Sequence, residues 1–431
     1  MSIMNIDKIV SLAQQIIDEA RSPAPPAPVV ISTPEQLDAA LSLAPAGATL
    51  TLATSLVYPA PLTLTHPITL QSETWAAGLG VRMTADEPAP SFQSGIKVTG
   101  DHISLAGIEV RQTNPLVDIV VLGGAWPILD RCRILGDPVK GGKRGIAANG
   151  SDMTIARCYI DDCFQPYPGN DSQAICAWDM GPGLTIEDCF LRGGSETVMI
   201  GGADASSADR MPHAVTIIRN TITKRPEWQA LPIGVKNLIE FKAGRDILVE
   251  DNDLSYSWGK HGQVGYAVLV TVRNQDGRAP WSTVQNLVFR GNRIAHTAAA
   301  INILGLDNIK ETKGNMPTPI GTVRPSVRAS DLEFSGNTFT DIDPVTYAGS
   351  NQMILIGAGP VNVTIDQNTF DGVKIGSQVY FYGAPPSDGM VITNNTWPKA
   401  TYGIKGDSQP SGASTWVAYV TNGTLSGNVE R

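Results

Sequence analysis

The sequence predicts an all-β protein whose short strands coil around one long axis, and a recurring phrase is the first observation that predicts it. The phrase joins an alternating apolar run, two polar residues, an Asn, a spacer and a further apolar residue. It occurs as VTIIRNTI at 215–222, ILVEDNDL at 247–254, LVFRGNRI at 287–294, LEFSGNTF at 332–339, VTIDQNTF at 363–370 and MVITNNTW at 390–397. Alternation with a period of two residues is typical of strands.

The spacing of the phrase is the second observation. Counted from the Asn or its equivalent, neighbouring phrases are separated by as few as 24 residues, from 108 to 132, and by as many as 45, from 292 to 337. A helical solenoid has a fixed unit length, so this spacing argues against one. A coil of short strands joined by loops of free size accommodates it.

One position of the phrase keeps its residue type over long parts of the chain. It is Ile108 first, then three cysteines and then seven asparagines, namely Cys132, Cys158, Cys189, Asn220, Asn252, Asn292, Asn337, Asn368, Asn395 and Asn428. Stacked at a strand spacing of about 4.8 Å, the Asn amides can bond to one another. Such a ladder satisfies buried polar groups that would otherwise cost about 1–3 kcal/mol each. The cysteines are expected to pack there as small apolar residues.

This phrase resembles that of the right-handed parallel β-helix superfamily, which includes pectate-lyase-like enzymes and phage tailspikes. The resemblance covers roughly residues 46–431. It implies an all-β, right-handed, single-stranded parallel β-helix, which here follows a short N-terminal α-helix and a capping helix. Function does not follow from the fold, because one fold carries many activities.

Composition limits the partners and the compartment. The net charge of -9 over 431 residues argues against nucleic acid, whose phosphates require a basic surface. No apolar run is long enough to predict membrane insertion, and the N-terminus does not have the pattern of a secretory signal. The five cysteines are expected to be free, buried thiols, as in a reducing cytoplasm. Those expected to face the coil interior are Cys132, Cys158, Cys176 and Cys189.

The N-terminal region is predicted to hold two helices. Residues 1–22 are predicted to form an amphipathic helix. Its alternative roles are docking on the chain's own β-helix, trimerisation and anchoring. Residues 23–30 form a Pro-rich linker, and residues 31–431 form the β-helix. Within it, Thr33, Pro34 and Gln36 predict a capped helix over 34–43 that covers the first coil.

Long loops and outward side chains place a candidate cleft over the middle coils. The longest insertions are SYSWGKHGQVG, QDGRAPWST and DNIKETKGNMPTPIGTVRPS. Alternation turns polar and aromatic side chains of the neighbouring strands and loops outward, which suits a polysaccharide because aromatic rings stack on sugars and polar groups bind hydroxyls. The predicted substrate-binding residues are Asp179, Glu240, Trp258, His261, Asn302, Tyr380 and Tyr382. The alternative is that these are ordinary solvated positions.

Two stretches also resemble the catalytic segments of alginate lyases and chondroitin B lyase. IEFKAGRD resembles the Lys-bearing stretch and implies Lys242 as catalytic base, and VTVRNQDG resembles the Arg-bearing stretch and implies Arg273 as catalytic acid. The resemblance also implies Glu240 as a metal ligand for calcium. The preceding coil offers Thr197 and Met199 where a second ligand would be expected, which leaves too few hard oxygens for that ion.

A pair of carboxylates for glycoside hydrolysis is a weaker hypothesis. Asp179, Glu196 and Asp204 supply the residue type, and such a pair must lie about 5–9 Å apart. Turn and surface roles are the favoured interpretation for these three residues.

The sequence leaves three functions open. A β-helix that follows a short helix and a proline spacer, without a secretory signal, resembles a phage tailspike. This implies a virion (tail) protein, homotrimeric, that binds and perhaps depolymerises a host surface polysaccharide, with its N-terminal helix bound to another virion protein. The alternatives are a secreted bacterial polysaccharide lyase or glycoside hydrolase, and a non-catalytic structural or adhesive β-helix.

Overall fold

A computed structural model describes residues 29–75, 80–112, 114–167, 170–307 and 326–431. The predicted helix over 1–22, residues 23–28 of the predicted linker and most of the loop DNIKETKGNMPTPIGTVRPS lie outside the described residues. The described chain forms three long sheets, and consecutive strands of one sheet are parallel and one coil apart. This is a parallel β-helix, as predicted.

The first sheet, called sheet 1, holds the strands that precede the Asn position. Their apolar residues alternate with polar ones, so one side of the sheet faces the interior. Its sixteen strands are Val30–Ile31, Ala48–Leu52, Ile68–Ser72, Ile103–Ala106, Ile128–Asp130, Met153–Ala156, Pro182–Glu187, His213–Ile218, Gly244–Glu250, Val284–Arg290, Ser330–Ser335, Val361–Asp366, Ser387–Asp388, Val391–Thr393, Val420–Thr421 and Thr424–Ser426.

Sheet 2 holds the strands that follow the Asn position. Its thirteen strands are Val57–Tyr58, Ser91–Phe92, Glu109–Arg111, Arg133–Leu135, Tyr159–Cys163, Phe190–Gly193, Thr221–Thr223, Asp253–Ser257, Arg293–Thr297, Thr338–Ile342, Thr369–Gly372, Thr396–Trp397 and Val429–Glu430.

Sheet 3 completes each coil and carries the strands over which the cleft was predicted. Its twelve strands are Leu62–Leu64, Ile96–Val98, Asp118–Leu122, Arg144–Ala148, Gln173–Ala177, Glu196–Ile200, Asn237–Phe241, Tyr266–Thr271, Ala299–Leu304, Gln352–Gly357, Ser377–Tyr382 and Ile404–Gly406.

Two α-helices lie at the two ends of the described stack. Helix α1, Pro34–Leu43, has the predicted bounds, and Thr33 and Gln36 form the predicted capping box. Its Leu37 is fully buried against the first coils. Helix α2, Ala413–Tyr419, packs beside the last strands of sheet 3. Short 3₁₀ turns occupy Ala208–Arg210 and Pro226–Ala230. Within the described residues no helix is both long and apolar enough to cross a bilayer.

The asparagine ladder lies at the corner between sheets 1 and 2, as predicted. Asn220 donates its backbone N–H and its side-chain Nδ2 to Oδ1 of Asn252, at 2.9 and 3.0 Å. The same pair of bonds continues from coil to coil down to Asn428. Upstream, Cys189 donates its backbone N–H to Asn220 at 2.9 Å, so the cysteine section joins the ladder directly.

The sharpness of this corner comes from the residue before each ladder position. That residue has a positive φ in every coil from Arg131 to Gly427, for example 55° at Asp251 and 65° at Gly291. Asp, Asn and Gly adopt this conformation at little cost, which explains why they recur there. The phrase is therefore a turn signal as well as a strand signal.

The predicted interior residues of sheet 3 are buried in the main core, including Ile239, Phe241, Val268 and Ile301. All five cysteines are free and buried, as expected. The prediction that Cys176 faces the interior is wrong. It pairs in register with Met199 between the inward-facing Ile175 and Ala177, so its side chain lies on the outer side of the sheet, where loops bury it.

Two groups of loops rise along the edges of sheet 3. Loops between sheets 2 and 3 bury a cluster that we call the Trp228 wall, made of Phe164, Trp228, Ile233, Val235 and Trp258. Loops between sheets 3 and 1 form the Trp281 wall, in which Trp281 packs on Ala205, Met211 and Ala243. The outer face of sheet 3 is the floor between these walls.

Candidate functional site

A row of polar side chains crosses the floor of the cleft at one position of five successive coils. In three of these coils the next residue, Ile119, Ala174 or Leu238, is buried in the core, and the side chain of the row residue therefore points outward. Register pairs join Asp118 to Arg144, Arg144 to Gln173 and Glu196 to Asn237, and a hydrogen bond joins Gln173 to Glu196. The residues of this polar row are Asp118, Arg144, Gln173, Glu196 and Asn237.

Two buried carboxylates form the centre of the site. Glu196 is fully buried, and Glu240, on the next coil, is 1% exposed. Gln173 donates Nε2 to Glu196 Oε2 at 2.7 Å, and Asn237 donates Nδ2 to Glu240 Oε2 at 2.7 Å. A buried carboxylate that lacked such partners would be strongly destabilising.

Two lysines form the more exposed layer of the same cluster. Lys236 Nζ lies 3.2 Å from Glu196 Oε1 and 2.7 Å from Asp171 Oδ1. Lys242 Nζ lies 3.1 Å from Glu240 Oε1. The side chains of Lys236 and Lys242 are 22% and 16% exposed, whereas the two carboxylates are almost completely covered. The Asp171 side chain is 41% exposed, so a ligand meets this carboxylate together with the two ammonium groups.

The protonation of the cluster follows from burial and from the neighbouring charges. Burial, and then the charge of Glu240, raise the pKa of the Glu196 carboxyl. Burial alone would lower the pKa of Lys236, but the charges of Glu196 and Asp171 outweigh it and raise that pKa above its usual range. The charge of Glu240 on the next coil thus disfavours the ionised form of Glu196, whereas Lys236 and Lys242 favour it.

The two residues implied as a lyase pair lie on adjacent coils. Arg273 donates its backbone N–H to the carbonyl of Lys242 at 2.9 Å. Its guanidinium lies 3.5 Å from Asp307 Oδ2, and its side chain is 39% exposed. Lys242 and Arg273 are each paired with a different carboxylate, and their catalytic roles stay predictions.

The other predicted binding residues of the floor lie further along the stack. Asn302 pairs in register with Leu269 and Leu355, and its side-chain oxygen is buried. Tyr380 donates its hydroxyl to Asp407 at 2.7 Å. The ring of Tyr382 covers Gly357, where a Cβ would collide with it. These three outward positions form a neutral extension of the polar floor.

The remaining predicted binding residues lie at the edges of the floor. Asp179 accepts bonds from the backbone N–H and the hydroxyl of Ser206 at 2.9 and 2.8 Å, and therefore holds a loop. Trp258 is 2% exposed inside the Trp228 wall. His261 is exposed in the loop beside it. The structure thus gathers Glu240 and Lys242 into one cluster and places these three residues around it.

The described residues offer few ligands for a metal ion. Among the described residues, no group of three or more His, Cys, Asp or Glu side chains is placed to hold a metal ion. Both oxygens of Glu240 already have partners, Lys242 and Asn237, and an ammonium at 3.1 Å would repel a calcium ion. The residues present do not fit calcium.

Sequence reasoning missed Gln173, Lys236 and Asn237 and gave Glu196 a surface role. The signal was the recurrence of a polar residue at the same place of five successive strands, in D-I-V, R-G-I, Q-A-I, E-T-V and N-L-I. Burial of Glu196 was not visible there, because loops distant in the sequence cover it.

Comparison with known proteins gives structural likenesses only. No protein-family model matches the sequence, and no curated protein matches it. A thermostable alpha-1,3-glucanase catalytic unit from Streptomyces thermodiastaticus has a TM-score of 0.59 at 16% identity, over 94% of this chain and 69% of that one. The Dettilon tailspike protein has a TM-score of 0.53 at 15% identity, over 87% of this chain and 64% of that one.

An alginate lyase of family PL6, solved with a trisaccharide, has a TM-score of 0.47 at 11% identity, over 95% of this chain and 97% of that one. The fold is a right-handed parallel β-helix. At these identities the likenesses establish the fold alone. The chain also spans less than two thirds of the length of the tailspike it matches.

Proposed function

We propose that this chain is a tailspike-like virion protein that binds a polysaccharide of the host surface along the outer face of sheet 3. The observation that carries the proposal is the polar row across five coils, with Lys236 and Lys242 above its centre. Five coils at about 4.8 Å per step span about 19 Å, the length of several sugar rings. The loops of the Trp228 wall and the Trp281 wall flank this floor, as the sides of a ligand cleft do.

The charge of the centre favours a glycan that carries carboxylates. Lys236 and Lys242 are the cationic groups of this centre and lie beside the exposed carboxylate of Asp171. Arg144 lies two coils before the Glu196 coil, with its guanidinium 4.8 Å from the ring centre of Trp178. Ammonium and guanidinium groups form charge-assisted hydrogen bonds with carboxylates. We therefore expect tighter binding of acidic than of neutral polysaccharides.

Binding is tested by titrating the full chain with acidic and neutral surface polysaccharides in a calorimeter. Lys242→Met should weaken binding of an acidic glycan at least about 10-fold, since it removes a charge-assisted contact worth about 1.5–3 kcal/mol. Lys399→Met, an exposed lysine outside the cleft, is the matched control. Equal affinity of both variants would contradict the placement of the site, and absence of binding across the panel would contradict the proposal.

Depolymerisation is a second candidate, because Glu196 and Glu240 form a carboxylate pair on adjacent coils. Glycoside hydrolysis uses a pair of carboxyl groups, one with a raised pKa as the acid, and burial raises the pKa of Glu196. The alternative chemistry is elimination by Lys242 and Arg273, which requires a base and an acid at the carbon next to a uronate carboxylate.

The products separate the two chemistries. Elimination gives unsaturated sugars that absorb near 235 nm, whereas hydrolysis gives new reducing ends without this absorbance. Hydrolysis should fall by about 10²–10⁴-fold in Glu196→Gln and Glu240→Gln, and should persist in the control Glu250→Gln on sheet 1. If neither unsaturated sugars nor new reducing ends form, the enzymatic proposal is wrong, and the binding proposal is unaffected.

A further inference from the structure

Lys224 is a fully buried lysine that the site described above does not use. It follows the strand Thr221–Thr223 of sheet 2 and is 1% exposed, one of the largest completely buried side chains of the described chain. Lysine is almost never fully buried without a partner, because its ammonium loses its hydration. A buried ammonium in this place therefore calls for a specific reason.

The reason lies in the oxygens that surround its Nζ. Lys224 donates to the backbone carbonyls of Gly193, Gly194 and Ser195 at 3.0, 2.8 and 3.0 Å. The hydroxyl of Thr197 lies at 3.3 Å. Three consecutive carbonyls pointing at one place form a cation site, since their negative ends converge there. An ammonium has three N–H donors and matches the three carbonyls.

The turn that supplies these carbonyls is pressed against the preceding coil. A Cβ at Gly193 would lie 2.7 Å from the backbone nitrogen of Ala174, and one at Gly194 would lie 2.7 Å from the hydroxyl of Ser172. Gly193, Gly194 and Ser195 are all buried. The turn thus leaves buried acceptors, which would cost about 1–3 kcal/mol each without a donor.

The same turn carries the centre of the candidate site. Ser195 is followed directly by Glu196. The Ser195 carbonyl, besides binding Lys224, accepts the backbone N–H groups of Lys236 and Asn237 at 2.9 and 3.1 Å. The side chains of those two residues bond to Glu196 and Glu240. A single ammonium is therefore bound to the backbone from which the cluster extends.

We propose that Lys224 is a positioning residue, an internal cation that fixes the turn over 193–195 and thereby the carboxylate and lysine cluster of the cleft floor. Any effect of Lys224 on glycan binding or cleavage rests on the proposed function. Its effect on the position of the cluster does not rest on that function, because the ionisation of Glu196 can be measured without any glycan.

The test compares Lys224→Ala with Lys224→Met in the full chain. Infrared difference spectra identify the Glu196 carboxyl by its loss in Glu196→Gln, and a pH series gives its titration. Loss of the neighbouring cation should move this titration to higher pH by about one unit in both variants and lower the melting temperature. Lys97→Ala, an exposed lysine of sheet 3, should change neither.

Chemical rescue separates a cation site from simple packing. Propylammonium has the atoms that Lys224→Ala removes and should restore the Glu196 titration and the melting temperature, whereas 1-propanol should not. Lys224→Met fills the space without charge and should not respond to either compound. An unchanged Glu196 titration in a folded Lys224→Met would overturn the proposal, as would equal rescue by the alcohol.

Thr197→Val provides a second route if Lys224→Ala does not fold. It removes one oxygen from the cation site and should move the Glu196 titration in the same direction by a smaller amount; no movement would again overturn the proposal. Should the wild type bind no glycan, the proposed function fails, while these glycan-free measurements still decide the role of Lys224.

Discussion

At the residue scale, buried polar side chains connect coils that are far apart in the sequence. Each ladder Asn from Asn252 to Asn395 accepts two bonds through Oδ1 and donates Nδ2 both to the next Asn and to a backbone carbonyl, as Asn292 does with Asn337 and Val249. The backbone N–H groups at the corner are thus satisfied by side chains instead of water. This explains why Asn recurs at the ladder position, although other residues of similar size would fit there.

Asn292→Ala should therefore lower the free energy of unfolding by about 2–4 kcal/mol, because it leaves the buried N–H of Asn252 without its acceptor. Urea unfolding followed by circular dichroism measures the change. Gln285 lies on the same coil as Asn292 and forms one partly exposed hydrogen bond to Ser330 of the next coil. Gln285→Ala is therefore the matched control and should lower the free energy of unfolding by less than about 1 kcal/mol. Similar losses in the two variants would contradict a structural role for the ladder.

A second residue-scale effect concerns the pKa of Asp162 on sheet 2. Burial, and then the charge of Asp161, raise its pKa from 3.8 to about 6. The folded state thus binds a proton more tightly than the unfolded state. The stability that this proton contributes is present below about pH 4 and is lost as the pH rises through about 6.

Asp162→Asn should remove this loss and make the protein more stable at pH 7.5 by about 1–3 kcal/mol. Asn also tolerates the positive φ of 57° at this position. Urea unfolding at pH 4.5 and pH 7.5 should show the gain only at the higher pH. Asp251→Asn, at an exposed position with a φ of 55°, is the control. A gain that is equal at both pH values would refute the burial argument.

At the element scale, helix α1 closes the first coil. Its capping box fixes where it begins, and Leu37 inserts into the core. An open coil end exposes strand edges that can pair with other chains. The helix thus has a protective role that its short length alone would not suggest.

Leu37→Glu should undock helix α1 and cause concentration-dependent self-association, because a buried charge is incompatible with the core. Light scattering over a concentration series measures this. Leu43→Glu makes the same substitution on the same helix at a position that is 82% exposed and should leave the scattering unchanged. Equal scattering by Leu37→Glu and the wild type would show that the helix does not protect the edge.

At the scale of the whole molecule, the β-helix is a continuous rod on which one outward position can form a line of side chains. The polar row joins residues from Asp118 to Asn237, which are distant in the sequence and one coil apart in space. A long polymer is the ligand that such a line can bind at several points. Multiple weak contacts then add up along one chain.

The predicted trimer also belongs to this scale. Residues 1–22 carry isoleucines at the spacing of a three-stranded coiled coil. Deleting them should convert a trimer into a monomer in analytical ultracentrifugation, because a short helix gains its stability from association. A trimer that survives the deletion would assign the association to the β-helix and leave the helix as an attachment segment.

The sequence by itself determined the coil, its ladder and the bounds of helix α1. Each depends on a local pattern: alternation sets the strands, the residue before the Asn sets the corner, and Thr33 with Gln36 sets the cap. Inward and outward positions of sheet 3 followed from the same alternation. Lys242 and Glu240 were accordingly expected on one outer face, and they form an ion pair there.

Only the tertiary structure decided which outward side chains are buried and what they bind. Cys176 and Glu196 point outward and are nevertheless covered, and Lys224 reaches carbonyls about thirty residues earlier in the chain. The physical reason is that loops of neighbouring coils, whose lengths follow no period, cover parts of the sheet face. Alternation gives the direction of a side chain, whereas its solvation and its charge depend on what is packed above it.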